Sequence, residues 1–325
     1  MVTESSTSIA TLDNPSDYRF EKVVCYECGS DQASHFLVGQ DDLTGKPGNF
    51  QYVKCNNCSL VYHNPRLVLD QIKDFYDEEY IAHRKEKDWG ILTPAYNWAM
   101  SKLDRDKHKI VKRYVQLNND TRILDVGCAV GTFLIFLKKK YGCQAAGVDF
   151  INLEDSPGME QIDFRFGLYY EQDFRGQTFD LITMWHFLEH DYDPLRSLKF
   201  SRELLTDEGR LIIEVPRLDC LTFKLFRNRW PGVQAPQHTV LLDKSHFQTL
   251  VRKANLEIID YLPYGAFPAY FYIYAGMAFK RLKGKGLDLQ KAMLPYFSGQ
   301  LLLSPILLFA KYLNLSMQTI VCKKN

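Results

Sequence analysis

The sequence predicts an α/β fold: an open, mostly parallel seven-stranded sheet with helices on both faces. A small cysteine-bearing unit precedes it and a helical insertion interrupts it late. Three observations carry this. From residue 122 onward, short apolar runs alternate with helix-length segments, as parallel strands joined by crossover helices require. The segment Arg122–Phe150, RILDVGCAVGTFLIFLKKKYGCQAAGVDF, reads as strand, glycine turn, helix and a second strand ending on an acid. Upstream stand two C-x-x-C pairs, Cys25/Cys28 and Cys55/Cys58.

Taken in chain order, residues 1–20 are polar and Ser/Thr-rich and read as a disordered tail. No signal peptide opens the chain, so its eight cysteines read as intracellular thiols or metal ligands, and a cytoplasmic location is expected. Residues 21–66 form the cysteine unit. Its two pairs are separated by 26 residues and can supply four thiolates to one tetrahedral zinc. Gly39, Gly45, Pro47 and Gly48 suit a hairpin-rich ribbon, and Tyr52–Val53 and Leu60–Tyr62 suit short strands beside the second pair. So small a unit has little apolar core, and the metal would supply folding energy.

Residues 67–117 read as a helical linker or cap, with helices over Leu69–Tyr80 and Pro94–Leu117 joined by a charged, exposed, mobile linker at 81–92. Phe75, Tyr76, Tyr80, Tyr96 and Trp98 are aromatic candidates for closing a pocket or for packing between domains.

The main domain spans 118–325. Ile123, Leu124 and Val126 make a strand covered on both faces. Asp125, Gly127 and Gly131 punctuate the turn, the glycines letting backbone pass close to a ligand. The helix 131–141 ends in Lys138, Lys139 and Lys140, which suits the negative end of its dipole. The second strand, 144–149, ends on Asp149, where a carboxylate can take both hydroxyls of a ribose. Strands follow at Ile162–Phe166, Phe179–Met184, Gly209–Val215, Leu256–Tyr261 and Met317–Cys322. Between them lie helices at Asp193–Leu205, with Pro194 in its first turn, and at His246–Ala254, capped by Asp243 or Ser245. Residues 263–314 form an apolar helical insertion: a lid, a buried core or a peripheral membrane contact. Its apolar stretches, Ala266–Phe279 and Leu301–Ala310, fall short of the ~20 residues a bilayer span needs.

The turn reads D-x-G-x-x-x-G and lacks the G-x-G-x-x-G spacing of a dinucleotide site. An acid at the second strand's end would repel a phosphate, so the pattern suits a nucleoside without phosphates. It resembles motif I of the class I S-adenosylmethionine-dependent methyltransferases, which have a Rossmann-like fold. Thr178–Ile182 and His186–His190 look like that family's fourth-strand region, and Glu203–Leu205 with Glu208–Ile213 like its next helix and strand. The resemblance covers about 120–262. Val53–Arg66, VKCNNCSLVYHNPR, looks like the second knuckle of zinc-ribbon methyltransferases that act on sugars and other small metabolites.

The resemblance implies S-adenosylmethionine as cofactor, held by Asp125, Gly127, Cys128, Gly131, Asp149, Phe150, Trp185 and His186. It also implies a base at His238, which matches the subgroup's His after the fifth strand. His190 is the second candidate. Gln237 stands where that subgroup often has Glu, which favours O-methylation, needing one base, over C-methylation of a sugar. The acceptor is expected to be a small molecule, sugar-like or hydrophobic. RNA methylation and a non-catalytic S-adenosylmethionine-binding scaffold are the alternatives. Against nucleic acid stand the formal net charge of +1 and a ribbon holding only Lys22, Lys46, Lys54 and Arg66 as cations. After the third strand, Gly167–Glu171 lacks the family's usual Asp for adenine. The sequence carries no signal for an oligomeric state.

Overall fold

The computed structural model describes residues 13–76, 93–307, 309 and 312–325. The first twelve residues of the expected tail, the linker 81–92 and Tyr80 lie outside these.

The central sheet runs Leu256–Leu262, Met317–Lys324, Leu205–Pro216, Phe179–Trp185, Arg122–Val126, Gln144–Asp149, Asp163–Phe166 from edge to edge. All neighbouring pairs are parallel except those made by Met317–Lys324, which is antiparallel to both strands it separates. Alternate residues of each strand enter opposite cores. Ile123, Leu181, Ile212 and Val321 pack with Ile110, Phe133 and Leu137 on one face. Leu124, Ile182, Ile213 and Ile320 pack with Leu198, Phe247 and Leu250 on the other. A sheet covered on both faces leaves its ligand at the strands' carboxyl ends.

Helix signals act as written. Thr132–Tyr141 stops at Gly142, whose left-handed backbone donates to the Lys138 carbonyl. Pro194–Leu204 is capped by Asp193 and Lys244–Lys253 by Asp243. Two expectations are corrected. The Thr93–Val111 helix ends six residues before Leu117. Past it the chain turns so that Tyr114 Oη can donate to Asp260 on the sheet's edge strand, at 2.6 Å. The expected helix from Leu69 is a single turn, Leu69–Ile72, tightened into a 3-10 turn, Lys73–Phe75, that buries Phe75.

The cysteine unit packs on the same sheet face as Pro194–Leu204 and Lys244–Lys253; Cys25, Val53, Cys55, Leu60 and Tyr62 belong to that core. Its strands Ala33–Gly39, Phe50–Cys55 and Val61–His63 pair antiparallel, and a fourth, Val240–Leu241, comes from the main domain. The insertion supplies Ala269–Leu282, Leu289–Leu302 and the short Ser304–Leu307. Among the described residues, no helix is long and apolar enough to cross a membrane.

Candidate functional site

The strand Arg122–Val126 delivers the chain into a loop held close to its neighbour. Gly127 and Cys128 both donate to the Val148 carbonyl, at 2.8 and 3.1 Å. Gly127, Ala129 and Gly131 take positive φ of 73°, 48° and 69°. A Cβ on Gly127 would meet the Phe187 ring at 3.0 Å. Asp149, at the end of the next strand, is buried and accepts from Ala129 N at 2.9 Å and Ile151 N at 3.0 Å. Its carboxylate thus ties the loop to the following turn.

Two chambers open along these carboxyl ends, of about 150 and 230 Å³, and Gly127, Ala129, Trp185, His186 and His190 border both. The smaller is walled by Val148, Asp149, Phe150, Gly167, Leu168 and Tyr76. Tyr76 meets Phe150 edge-on, with centroids 4.8 Å apart. The larger holds Lys107, Asp125, Cys128, Glu214, Trp230 and His238. Asp125 accepts from Thr183 Oγ1 at 2.6 Å, and burial pushes its pKa up to about 6.

His186 sits where the chambers meet, with a positive φ of 57°. Its Nδ1 lies 3.3 Å from Glu189 and its Nε2 3.3 Å from Glu214. Burial opposes its charge, but the two carboxylates prevail and raise its pKa to about 9. Glu214 also accepts from Ala266 N at 2.6 Å and Phe267 N at 3.0 Å; burial pushes its pKa up, but His186 first and these two amides second bring it below the ordinary value.

His238, the expected base, lines the larger chamber and is only 2% exposed. Its Nδ1 is 2.8 Å from the Gly232 carbonyl. Only an N–H can bond there, which leaves Nε2 as the basic nitrogen. Burial lowers its pKa, keeping the ring neutral. His190 crosses it edge-on at 4.4 Å between centroids, and ligating atoms of Glu189, His190 and His238 lie within 4.8 Å of one another. His190 Nδ1 faces Tyr76 Oη at 2.8 Å and the Gln237 carbonyl at 3.2 Å.

The structure therefore gathers Asp125, Gly127, Cys128, Asp149, Phe150, Trp185, His186, His190 and His238 around two joined chambers. Gly131 lines neither; it starts the following helix, and a Cβ there would strike Met159 Sδ at 2.4 Å. Gln237 also lines neither chamber: its Nε2 donates to the Phe75 carbonyl at 3.2 Å. Among the described aromatic candidates, Tyr76 alone lines these two chambers, while Trp98 is exposed. Sequence reasoning missed Glu214 and Lys107. A lone acid inside the apolar run Leu211–Val215 was a readable sign for the first. Lys107 stands on a charged helix face with no local signal.

The cysteine pairs form two matching turns. Gly29 N donates to Cys25 O and Cys25 N to Ser30 O; likewise Ser59 N to Cys55 O and Cys55 N to Leu60 O. The turns oppose each other, with Cys25–Cys58 and Cys28–Cys55 sulfurs 3.4 and 3.5 Å apart and all four within 4.8 Å. A tetrahedral zinc with ~2.3 Å bonds separates its sulfurs by about 3.8 Å, so the set fits one ion.

This strand order, with a ligand-sized cleft at the glycine loop and an acid ending the second strand, defines the S-adenosylmethionine-dependent methyltransferase class of α/β enzymes. The sequence profile described as a methyltransferase domain matches residues 99–261, half of the chain. The chain belongs to that family and is an enzyme, which sets the scaffold alternative aside. Solved structures similar to it include the [4+2]-cyclase SpnF (16% identity, 68% of this chain and 80% of that one, TM-score 0.46). A phosphoethanolamine N-methyltransferase 2 from Haemonchus contortus is 16% identical over 68% of this chain and 52% of that one, with a TM-score of 0.47. A geranyl diphosphate C-methyltransferase from Streptomyces coelicolor A3(2) is 9% identical over 68% and 79%, with a TM-score of 0.47. No curated protein sequence matches the chain.

Proposed function

We propose that the enzyme methylates a hydroxyl of a small molecule, with His238 as the base and one structural zinc on Cys25, Cys28, Cys55 and Cys58. S-adenosylmethionine, when bound, supplies an activated methyl group. The smaller chamber suits the adenosine half. Asp149 retains acceptor capacity for ribose hydroxyls, and Phe150 and Leu168 offer apolar faces to the base. In the larger chamber Lys107 and Asp125 present opposite charges to an amino-acid end, and Trp185 Nε1 is a buried donor lacking a hydrogen-bond partner among the described residues.

The observation that carries the reading is the orientation of His238. Nδ1–H is committed to Gly232, so Nε2 is the basic nitrogen of a ring that borders the chamber holding Gly127. A hydroxyl bound there loses its proton to Nε2 as its oxygen takes the methyl group. The charge of Glu189 favours the protonated ring that results. His238→Ala tests this: turnover should fall by about 10²–10⁴-fold with donor affinity intact. Unchanged turnover would assign His238 a structural role and make His190 the next candidate.

One observation favours a second reading, C-methylation. That chemistry profits from a second ionisable group, and His190 with Glu189 supplies one beside His238 although position 237 is Gln.

A further inference from the structure

We infer that the acceptor carries an apolar chain, and that this chain occupies a third chamber between the Thr93–Val111 helix and the insertion. The inference rests on the reading of the larger chamber as the place of methyl transfer. The third chamber measures about 150 Å³. Met100, Leu103, Phe267 and Phe271 line both it and the reactive chamber, so the two are adjacent and share these four side chains as a common wall. Among the described residues, none of those lining it is charged. The Tyr274 hydroxyl there is already committed to the Ala292 carbonyl, at 3.1 Å. A polar headgroup entering it would lose its water without finding a charged partner, whereas a hydrocarbon loses nothing.

Tyrosine rings of the insertion pack on one another beside this chamber. Tyr296 contacts Tyr270 at 5.2 Å and Tyr274 at 5.5 Å between centroids. The Leu289–Leu302 helix turns Ala292 and Met293 inward, while Leu294, Leu301 and Leu302 stay exposed alongside Gln290 and Lys291. Cavities of about this size lined by apolar side chains admit a benzene-sized group, or roughly six carbons. An acceptor with its hydroxyl at His238 and a chain of that length would span both chambers.

The test uses the full-length zinc-loaded protein saturated with S-adenosylhomocysteine, titrated calorimetrically with n-alkanols of increasing length. Affinity should rise about fourfold per methylene until roughly six carbons are accommodated, then flatten. Ala99→Phe and Ala292→Phe each place a ring in the third chamber. Either should bring the increment below twofold while leaving S-adenosylhomocysteine affinity within twofold. A flat series in the wild type would overturn the inference, as would a slope unchanged in both variants. Failure of the wild type to bind S-adenosylhomocysteine would reject the donor reading itself, and this inference with it.

Discussion

At the scale of single residues, the site is decided by which nitrogen of which histidine holds a proton. His238 and His186 are neighbours in the same chamber, yet burial dominates the first and two carboxylates dominate the second. Activity should therefore rise with pH through one ionisation lying below the ordinary histidine value of about 6.5, and His238→Ala should lose that step. His186 gives the opposite dependence for stability. Its folded pKa of about 9 exceeds its unfolded value, so its contribution is fully present below pH 6.5 and fades as pH rises through 9. Thermal unfolding of the wild type should lose about 2–3 kcal/mol over that range relative to His186→Asn. An identical pH profile for the two proteins would refute the buried ion triad. Asp149→Ala should weaken binding of S-adenosylmethionine by about 1.5–3 kcal/mol in calorimetry. Asp149 was legible because its place at a strand end follows from local pattern. The pairing of His186 with Glu214 was not, since 28 residues separate them and only the sheet brings them together.

At the scale of elements, the ribbon belongs to the site. The two-residue strand Val240–Leu241 closes the ribbon's sheet directly after His238 and Thr239. His63 N donates to the Thr239 carbonyl at 2.8 Å, and Tyr52 Oη donates to the His238 carbonyl at 2.6 Å. Removing the proposed zinc should loosen these strands and with them His238. Chelation should thus abolish methyl transfer while S-adenosylmethionine still binds at the glycine loop; methyl transfer undiminished in metal-free protein would contradict the coupling. Six of the sheet's seven strands could be read within a residue or two of their observed ends, because buried strands leave apolar runs; the seventh begins at Leu205, four residues before the expected Gly209. The Val240–Leu241 strand could not, because two residues carry no periodicity. Nor could the end of the Thr93–Val111 helix, which is set by the reach of Tyr114 to Asp260 rather than by a breaking residue.

At the scale of the whole molecule, a methyltransferase sheet, a cysteine-bearing unit and an apolar insertion border one chamber from three sides, the place proposed for methyl transfer. The sheet presents the glycine loop and Asp149, the ribbon fixes the segment bearing His238, and the insertion closes the wall with Phe267, Phe271 and Tyr272. That convergence was hidden in the sequence, where the three lie far apart and each reads as a separate unit. The most direct measurement is transfer of isotope-labelled methyl from S-adenosylmethionine into a small-molecule extract, run in parallel with wild type and His238→Ala and with donor affinity measured for both. The account predicts labelled product from the wild type, product reduced by at least about a hundredfold with the variant, and equal donor binding. Labelled product formed equally by both proteins, or preferential binding of NAD over S-adenosylmethionine, would contradict it.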